Sequence, residues 1–435
     1  MLHLTSVNYR RLLRISKEGF WVAFGQIMAV IGLLLTVRLL TELLDPVKYG
    51  KLTLVLTIAS LINLTLFGPL CNGVIRFYSE SIEKNDLKGY LGSVWQIGLW
   101  VTGVVFIFGF CTGVGLMFTG YGAWVNLIIL VLSFALISGY SSVLNGTHIS
   151  SRRQSLVAIH QIMDVWGRLF FVGCLMILLG ASIKVALVGY LLAAIIVLVS
   201  HSIFLYRSTL GAVSKSNQKH NWQQSILKYS WPFCTWGILL WAYTSVGRWS
   251  LQQFSSAEDV GYYAVLFQLG YLPFSLLSGA VSQFLAPIYF QRADKESDLN
   301  GLLGVFLIAW RMMLFSVLGT LFCAFGMSFI HEGVFGILIA SAYAPASNLL
   351  PIMMLAGGFL VSAQFGTLAL HTQKTTNLLV LPKNISYGAG ACLAFFGAYH
   401  YNLAGVVYSM VLASITHFLW IAFIVRRQMN FLVKE

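Results

Sequence analysis

The chain has 435 residues, 58% of them hydrophobic and 9% charged, with a formal net charge of +13. Soluble domains carry roughly 25% charged residues, so no soluble fold could hide this much apolar surface. The apolar runs are long and continuous, unlike the alternating ~10-residue segments of an outer-membrane barrel, and they predict an all-α polytopic membrane protein.

Residues 1–18 place Arg10, Arg11, Arg14 and Lys17 among Leu12, Leu13 and Ile15. This is a basic amphipathic lead-in suited to the cytoplasmic lipid surface, or a topology signal alone. A full-length apolar run follows with no small-residue cleavage site behind it, so no cleavable signal peptide is expected. Hydropathy predicts about twelve spans: 19–40, 51–75, 93–117, 123–145, 160–179, 184–206, 229–252, 261–286, 302–328, 348–369, 379–399 and 404–425. Asp45-Pro46 breaks the chain after the first span and Tyr49-Gly50 restarts it. A charged loop over 76–92 and a longer outer loop over 329–347 are expected, the latter with His331, Glu332 and Pro345. One extended polar linker, 207–228, divides an N-terminal six-helix bundle (19–206) from a C-terminal one (229–425), and 426–435 form a tail.

The halves repeat. Setting Gly50 on Gly261 gives an offset of 211, at which Gly68 meets Gly279, Asn72 meets Gln283, Tyr78 meets Tyr289 and Lys17 meets Lys228. Agreement at glycines, amides and corners is harder to reach by chance than agreement of apolar letters.

Of the 27 Lys and Arg, 19 fall on the side that holds both termini and four on the other (Arg38, Lys48, Lys51, Lys184). By the positive-inside rule both termini are cytoplasmic. The basic residues are scattered over every inner loop rather than gathered into a groove, so nucleic acid is not a partner. The six cysteines lie in apolar runs without CxxC spacing or a histidine cluster, and read as small core residues rather than metal ligands or disulfides. There is no HExxH, P-loop, GxSxG or paired-carboxylate pattern, hence no expected enzyme activity, cofactor or metal; a transporter of this kind would be a secondary carrier.

A charge at the bilayer centre costs ~2.5–3.5 kcal/mol on translocon scales and needs a partner, a hydrated cavity or a ligand. Arg168, Arg311 and Lys383 are expected about a third of the way in from the cytoplasm, Arg38 and Arg248 near the outer ends. Against these five stands one acid inside a span, Asp164, one turn before Arg168 and able to pair with it. This cationic excess suits an anion-handling cavity, since guanidinium binds phosphate oxygens bidentately. Four of the five have an alternative: Arg38 and Arg248 snorkel to headgroups, Asp164–Arg168 is a structural pair, and Lys383, after Pro382, sits at a loop end; Arg311 is the hardest to explain away. Amides inside spans (Gln26, Asn63, Asn72, Asn126, Gln283, Gln364) line a hydrated path or bond neighbouring helices. Prolines there (Pro69, Pro273, Pro351, Pro382) bend helices. His160, His201 and His417 either titrate and couple transport to protons or are simply hydrogen-bonded.

Arg38-Leu39-Leu40, the corner Leu44-Asp45-Pro46 with Tyr49-Gly50, the close at Arg76-Phe77, Arg248 with Leu251, and Val260-Gly261-Tyr262-Tyr263-Ala264 resemble the polysaccharide flippases. That family moves lipid-linked oligosaccharide (O-antigen-type) repeat units and belongs to the multidrug/oligosaccharidyl-lipid/polysaccharide exporter superfamily. Gly247 stands where the family's aspartate is usual, which leaves Arg248 without its orienting carboxylate. The resemblance implies two six-helix bundles around a central cavity and alternating access in a bacterial cytoplasmic (inner) membrane. It implies as cargo an undecaprenyl-diphosphate-linked glycan whose diphosphate meets the basic residues. Membrane lipids, a polysaccharide polymerase and chain-length proteins are the implied partners. Rival readings are a cation-coupled multidrug exporter of the superfamily, a peptidoglycan-precursor flippase (with two further spans), a non-transporting component of a glycan-assembly complex, and a membrane glycosyltransferase or polymerase.

Overall fold

The computed structural model describes residues 2–120, 122–209, 220–279, 285, 289, 299–372 and 377–434; for 2–18 and a few helix-end residues it describes the backbone alone. The described residues are almost wholly helical. In order these are α1 (Leu2–Leu43), α2 (Pro46–Ile62), α3 (Gly68–Glu83), α4 (Leu87–Phe118), α5 (Val125–Ser150), α6 (Gln154–Leu179), α7 (Ile183–Thr209), α8 (Trp222–Phe254), α9 (Ala257–Leu266), α10 (Leu299–Leu338), α11 (Leu350–Thr372) and α12 (Asn377–Lys434).

Ten helical stretches among the described residues are long and apolar enough to cross a membrane. One of them, Leu381–Leu432, holds two crossings. Its helix, α12, has 58 residues and would run about 87 Å if straight, against a ~30 Å hydrocarbon core. The chain reverses at Asn402, where φ is 50° and ψ −134°. Helix α8, with 33 residues, is long enough to cross but richer in polar side chains and is not among the ten; counted with them, it makes the described helices consistent with about twelve crossings.

Local chemistry explains the breaks. Asp45 closes the corner after α1: its carboxylate accepts the Lys48 backbone N–H at 2.8 Å and pairs with the Lys48 ammonium at 3.0 Å. Pro46 opens α2, where its missing N–H costs nothing. That backbone hydrogen bond, followed by the ammonium, holds the Asp45 carboxyl below its ordinary range. The matching helix of the second half, α9, begins at Ala257 behind the Ser256 cap. It starts 211 residues after Pro46 (257 minus 46), the offset of the internal repeat.

Two π-helical turns, Asn63–Phe67 and Phe267–Tyr271, interrupt the second helix of each half. Each ends two residues before a proline, Pro69 or Pro273. Proline removes one N–H and crowds the carbonyl four residues back, and widening the turn relieves both effects. The turns lie 204 apart rather than 211 (267 minus 63), because they follow the prolines and not the repeat.

Four expectations differ from the structure. Residues 207–209 and 222–228, expected in the linker, are helix, in α7 and α8. Residues 76–83, expected in a loop, continue helix α3 to Glu83. The expected outer loop is helix up to Leu338 and a 3-10 run over Ser341–Leu349; His331 and Glu332 meet no breaker, so the helix carries through them. The cysteines are not core: Cys111, Cys323 and Cys392 are exposed and the other three only half-buried. Their helices turn apolar faces outward toward lipid, which accommodates a thiol as readily as a core does.

The chain folds as two compact units. The first comprises residues 1–36 and 52–241, the second 37–51 and 242–435. In the first, α5 packs between α3 and α7, and α6 against α7. In the second, α11 packs against both α10 and α12, with Phe306, Met313, Phe365, Ile421 and Val425 in its core.

Candidate functional site

The first unit holds an open cavity of about 240 Å³, lined mostly by polar residues. Ser138, Ser141, Ser142 and Asn145 of α5, His160, Gln161, Asp164 and Arg168 of α6, and His201 of α7 line it. Serines recur on α5 at helical spacing, and His160, Asp164 and Arg168 follow one another at i, i+4, so each set faces one way. Arg168 binds Asp164 bidentately, Nε to Oδ1 at 3.0 Å and Nη2 to Oδ2 at 2.5 Å. The guanidinium also lies over the rings of Phe134 at 5.3 Å and Tyr190 at 5.7 Å. The pair is about 30% exposed, so it stands ready at the cavity wall rather than sealed in the core.

Two predicted amides join this region. Asn63, at the first π-turn, donates to the Ala59 carbonyl at 3.0 Å and to Ser138 Oγ at 3.1 Å. Gln26 accepts from Gln161 at 3.3 Å. The remaining residues lie elsewhere. Asn72 and Arg311 are exposed, Gln364 is half-buried, and Gln283 lies outside the described residues. Among the described residues no carboxylate pairs with Arg311. Lys383 is half-buried near the start of α12. His417 is 4% exposed and stacks on Tyr387, with ring centroids 5.8 Å apart.

The second unit holds Arg38 and Arg248. Arg38 pairs with Glu42 and donates to the carbonyls of Gly336 and Ile339, the latter closely. It caps the carbonyl end of α10, where a cation meets the negative end of the helix dipole. Arg248 stacks over Phe267 at 4.8 Å and Tyr263 at 5.6 Å, and donates to the Thr244 carbonyl at 3.3 Å. Position 247 has no room for the aspartate of the resembling family: a β-carbon on Gly247 would lie 2.6 Å from Val406 Cγ1. Aromatic faces orient the guanidinium in its place.

Sequence reasoning missed three participants. His148 lay beyond the expected end of span four, next to Arg152 and Arg153, yet α5 continues to Ser150 and buries it at 1% exposure. Gln161, one residue past an expected span start, carries the amide partner of Gln26. Gln268, in the second π-turn, donates to Tyr49 Oη at 2.8 Å, a contact between distant stretches that no local spacing marks.

A family model described as polysaccharide biosynthesis protein matches residues 15–292. The chain belongs to that family. No curated protein matches it. Among solved structures it is similar to a lipid II flippase, MurJ, in an inward closed conformation: 15% identity, TM-score 0.67, covering 95% of this chain and 89% of that one. It is similar also to the Vibrio cholerae MATE transporter VcmN in the bent form, with 11% identity and TM-score 0.65 over 96% of this chain and 97% of that one. A eukaryotic MATE transporter, AtDTX14, gives 12% identity and TM-score 0.54 over 97% of this chain and 99% of that one. At these identities the likeness is one of fold. This member of the polysaccharide biosynthesis family is thus a multi-pass helical membrane protein with a MurJ/MATE-type transporter fold.

Proposed function

We propose that the protein is a secondary-type flippase. It carries an undecaprenyl-diphosphate-linked oligosaccharide from the inner to the outer leaflet of the bacterial cytoplasmic membrane for surface polysaccharide synthesis, and performs no chemistry on it. The family match over residues 15–292 carries this reading. The basic residues support it. A diphosphate head group cannot cross hydrocarbon without compensating charge. Arg168 at the cavity wall, with Arg311, Arg248, Arg38 and Lys383 along the chain, supplies cations at more than one depth. Asn63, Gln26 and the α5 serines offer donors and acceptors to sugar hydroxyls. The excess of Lys and Arg on the side of the termini supports a cytoplasmic location for both.

The test is deletion of the gene followed by extraction of lipid-linked saccharides, with membrane-impermeant probes of the outer leaflet. A complete repeat unit accumulating on its diphosphate lipid in the inner leaflet is the expected result. Unchanged lipid intermediates with heightened sensitivity to cationic drugs would favour the second reading, a multidrug exporter, which the fold likeness to MATE transporters suggests. Loss of glycan without accumulated precursor would favour an assembly component.

A further inference from the structure

His148 of α5, His160 of α6 and His201 of α7 are buried together, at 1%, 2% and 2% exposure. Their rings stack: His160 and His201 at 3.7 Å between centroids and 17° between planes, His148 and His201 at 5.3 Å and 18°, His148 and His160 at 5.8 Å and 3°. Stacked rings present faces to one another and turn their nitrogens sideways. Among the described residues no group of three or more His, Cys, Asp or Glu is arranged to hold a metal ion.

The nitrogens are unequally satisfied. His160 Nδ1 lies 2.8 Å from the Leu156 carbonyl, which accepts from it, and Nε2 lies 3.0 Å from Ser200 Oγ, which donates. His148 Nε2 and His201 Nδ1 are buried without a hydrogen-bond partner, as are Ser141 Oγ and Asn145 Oδ1 nearby. Leaving a buried polar atom so is unfavourable. Ser141, Asn145 and His201 line the cavity, and His148 stacks on His201 beside it; four such atoms in one region mark a site built for something that supplies or takes a hydrogen. Imidazole is the side chain whose charge changes in the physiological range. Two imidazolium rings stacked this closely repel, whereas a single charge is shared with neutral neighbours.

We infer that His148, His160 and His201 form one proton-binding site that takes a single proton per chain, and that its charge competes with Arg168 for Asp164. The titratable and charged groups around the stack come from several elements. Asp164 and Arg168 follow His160 on α6 and share its cavity. Arg153, in the turn between α5 and α6, donates its backbone N–H to the His148 carbonyl at 3.0 Å. Tyr190 of α7 lies under the Arg168 guanidinium, and Cys71 of α3 donates to the Ser142 carbonyl at 3.4 Å. Asp164 is the one carboxylate among them, and Arg153 and Arg168 oppose a second positive charge. With the proton bound, Asp164 turns toward the stack, its bidentate hold on Arg168 loosens, and the guanidinium is released to an anionic oxygen. Only this last step rests on the diphosphate reading.

The full-length protein, labelled with ¹⁵N at histidine and arginine and held in lipid nanodiscs, tests this by NMR between about pH 5 and about pH 8. His148→Gln, His160→Gln and His201→Gln assign the rings one at a time. The expected result is one shared titration with uptake of one proton, each substitution altering the titration of the remaining two rings. Independent titrations, uptake of two protons, or none would overturn the site. The Arg168 Nε signal should move with the histidines in the wild type and stay fixed in His160→Gln; an Arg168 signal unmoved in the wild type overturns the competition for Asp164. Should a histidine variant fail to fold, Asp164→Asn serves: it should require a more acid solution to load the proton, and an unchanged titration counts against the inference. None of these signals involves glycan, so failure of the flippase reading is told apart from failure of the proton site.

Discussion

Gly50 and Gly261 meet backbone to backbone in the second unit. A β-carbon on Gly50 would lie 2.2 Å from the Ala257 carbonyl oxygen, and one on Gly261 would lie 2.2 Å from that of Pro46. These are the two residues that the internal repeat aligns, so the corner of one half is packed on the equivalent corner of the other. Arg38 on the α10 carbonyls and Tyr343 Oη on the Leu44 carbonyl at 2.9 Å fasten the same segment, 37–51. Gly50→Ala or Gly261→Ala forces backbone apart and is expected to cost about 1–3 kcal/mol. Thermal unfolding of the purified protein in detergent should show a lowered midpoint for each; an unchanged midpoint in both would mean that the corner is not tightly packed.

Asp164→Asn strips Arg168 of its carboxylate. Removing one partner of a buried pair costs about 3–5 kcal/mol, and the partial exposure of this pair puts the loss at or below the lower end. Asp164→Asn/Arg168→Gln should recover most of that stability while surface glycan stays low, because the cation is gone. Quantifying inserted protein beside surface glycan separates the two effects. A double variant with full glycan would remove Arg168 from the cargo path.

Gly247→Asp places the resembling family's carboxylate beside Arg248 but drives it into Val406. The variant should be less stable than wild type by about 1–3 kcal/mol, and Val406→Ala in the same chain should restore part of the loss. A double-mutant cycle on thermal stability reads the coupling. Additive effects would mean that Val406 is not what closes position 247.

Arg38→Ala removes the cap on α10 and is expected to lower stability by about 0.5–2 kcal/mol. If capping is its main role, the stability loss should exceed any loss of glycan export per inserted molecule, and Arg38→Lys should restore little, since a single ammonium cannot reach two carbonyls and Glu42 together.

Asp45→Ala should cost about 1 kcal/mol as a lost helix cap. The sign of its pH dependence follows from a carboxyl held below its ordinary range in the folded protein. Its contribution is complete above the unfolded-state value and disappears as pH falls through the lowered one. Wild type and Asp45→Ala should therefore converge in stability in acid and separate toward neutrality, as melting curves across that range would show.

Class, crossings and repeat were all legible in the linear chain. Burial in lipid demands long apolar runs whatever the packing, so twelve spans were countable before any helix was placed. Glycine and proline act on their own backbone, which made the Asp45-Pro46 corner and a disturbed helix near Pro69 and Pro273 legible too. The Asp164–Arg168 pair was visible because helical spacing alone brings i and i+4 together. Contacts between distant stretches were not. That Arg38 caps α10, that Val406 fills the space beside Gly247, and that three histidines from three helices share one stack emerged only with the packed fold. Those arrangements depend on how helices rotate and pack against one another. That is set by side-chain volumes summed over whole interfaces, which no local spacing records.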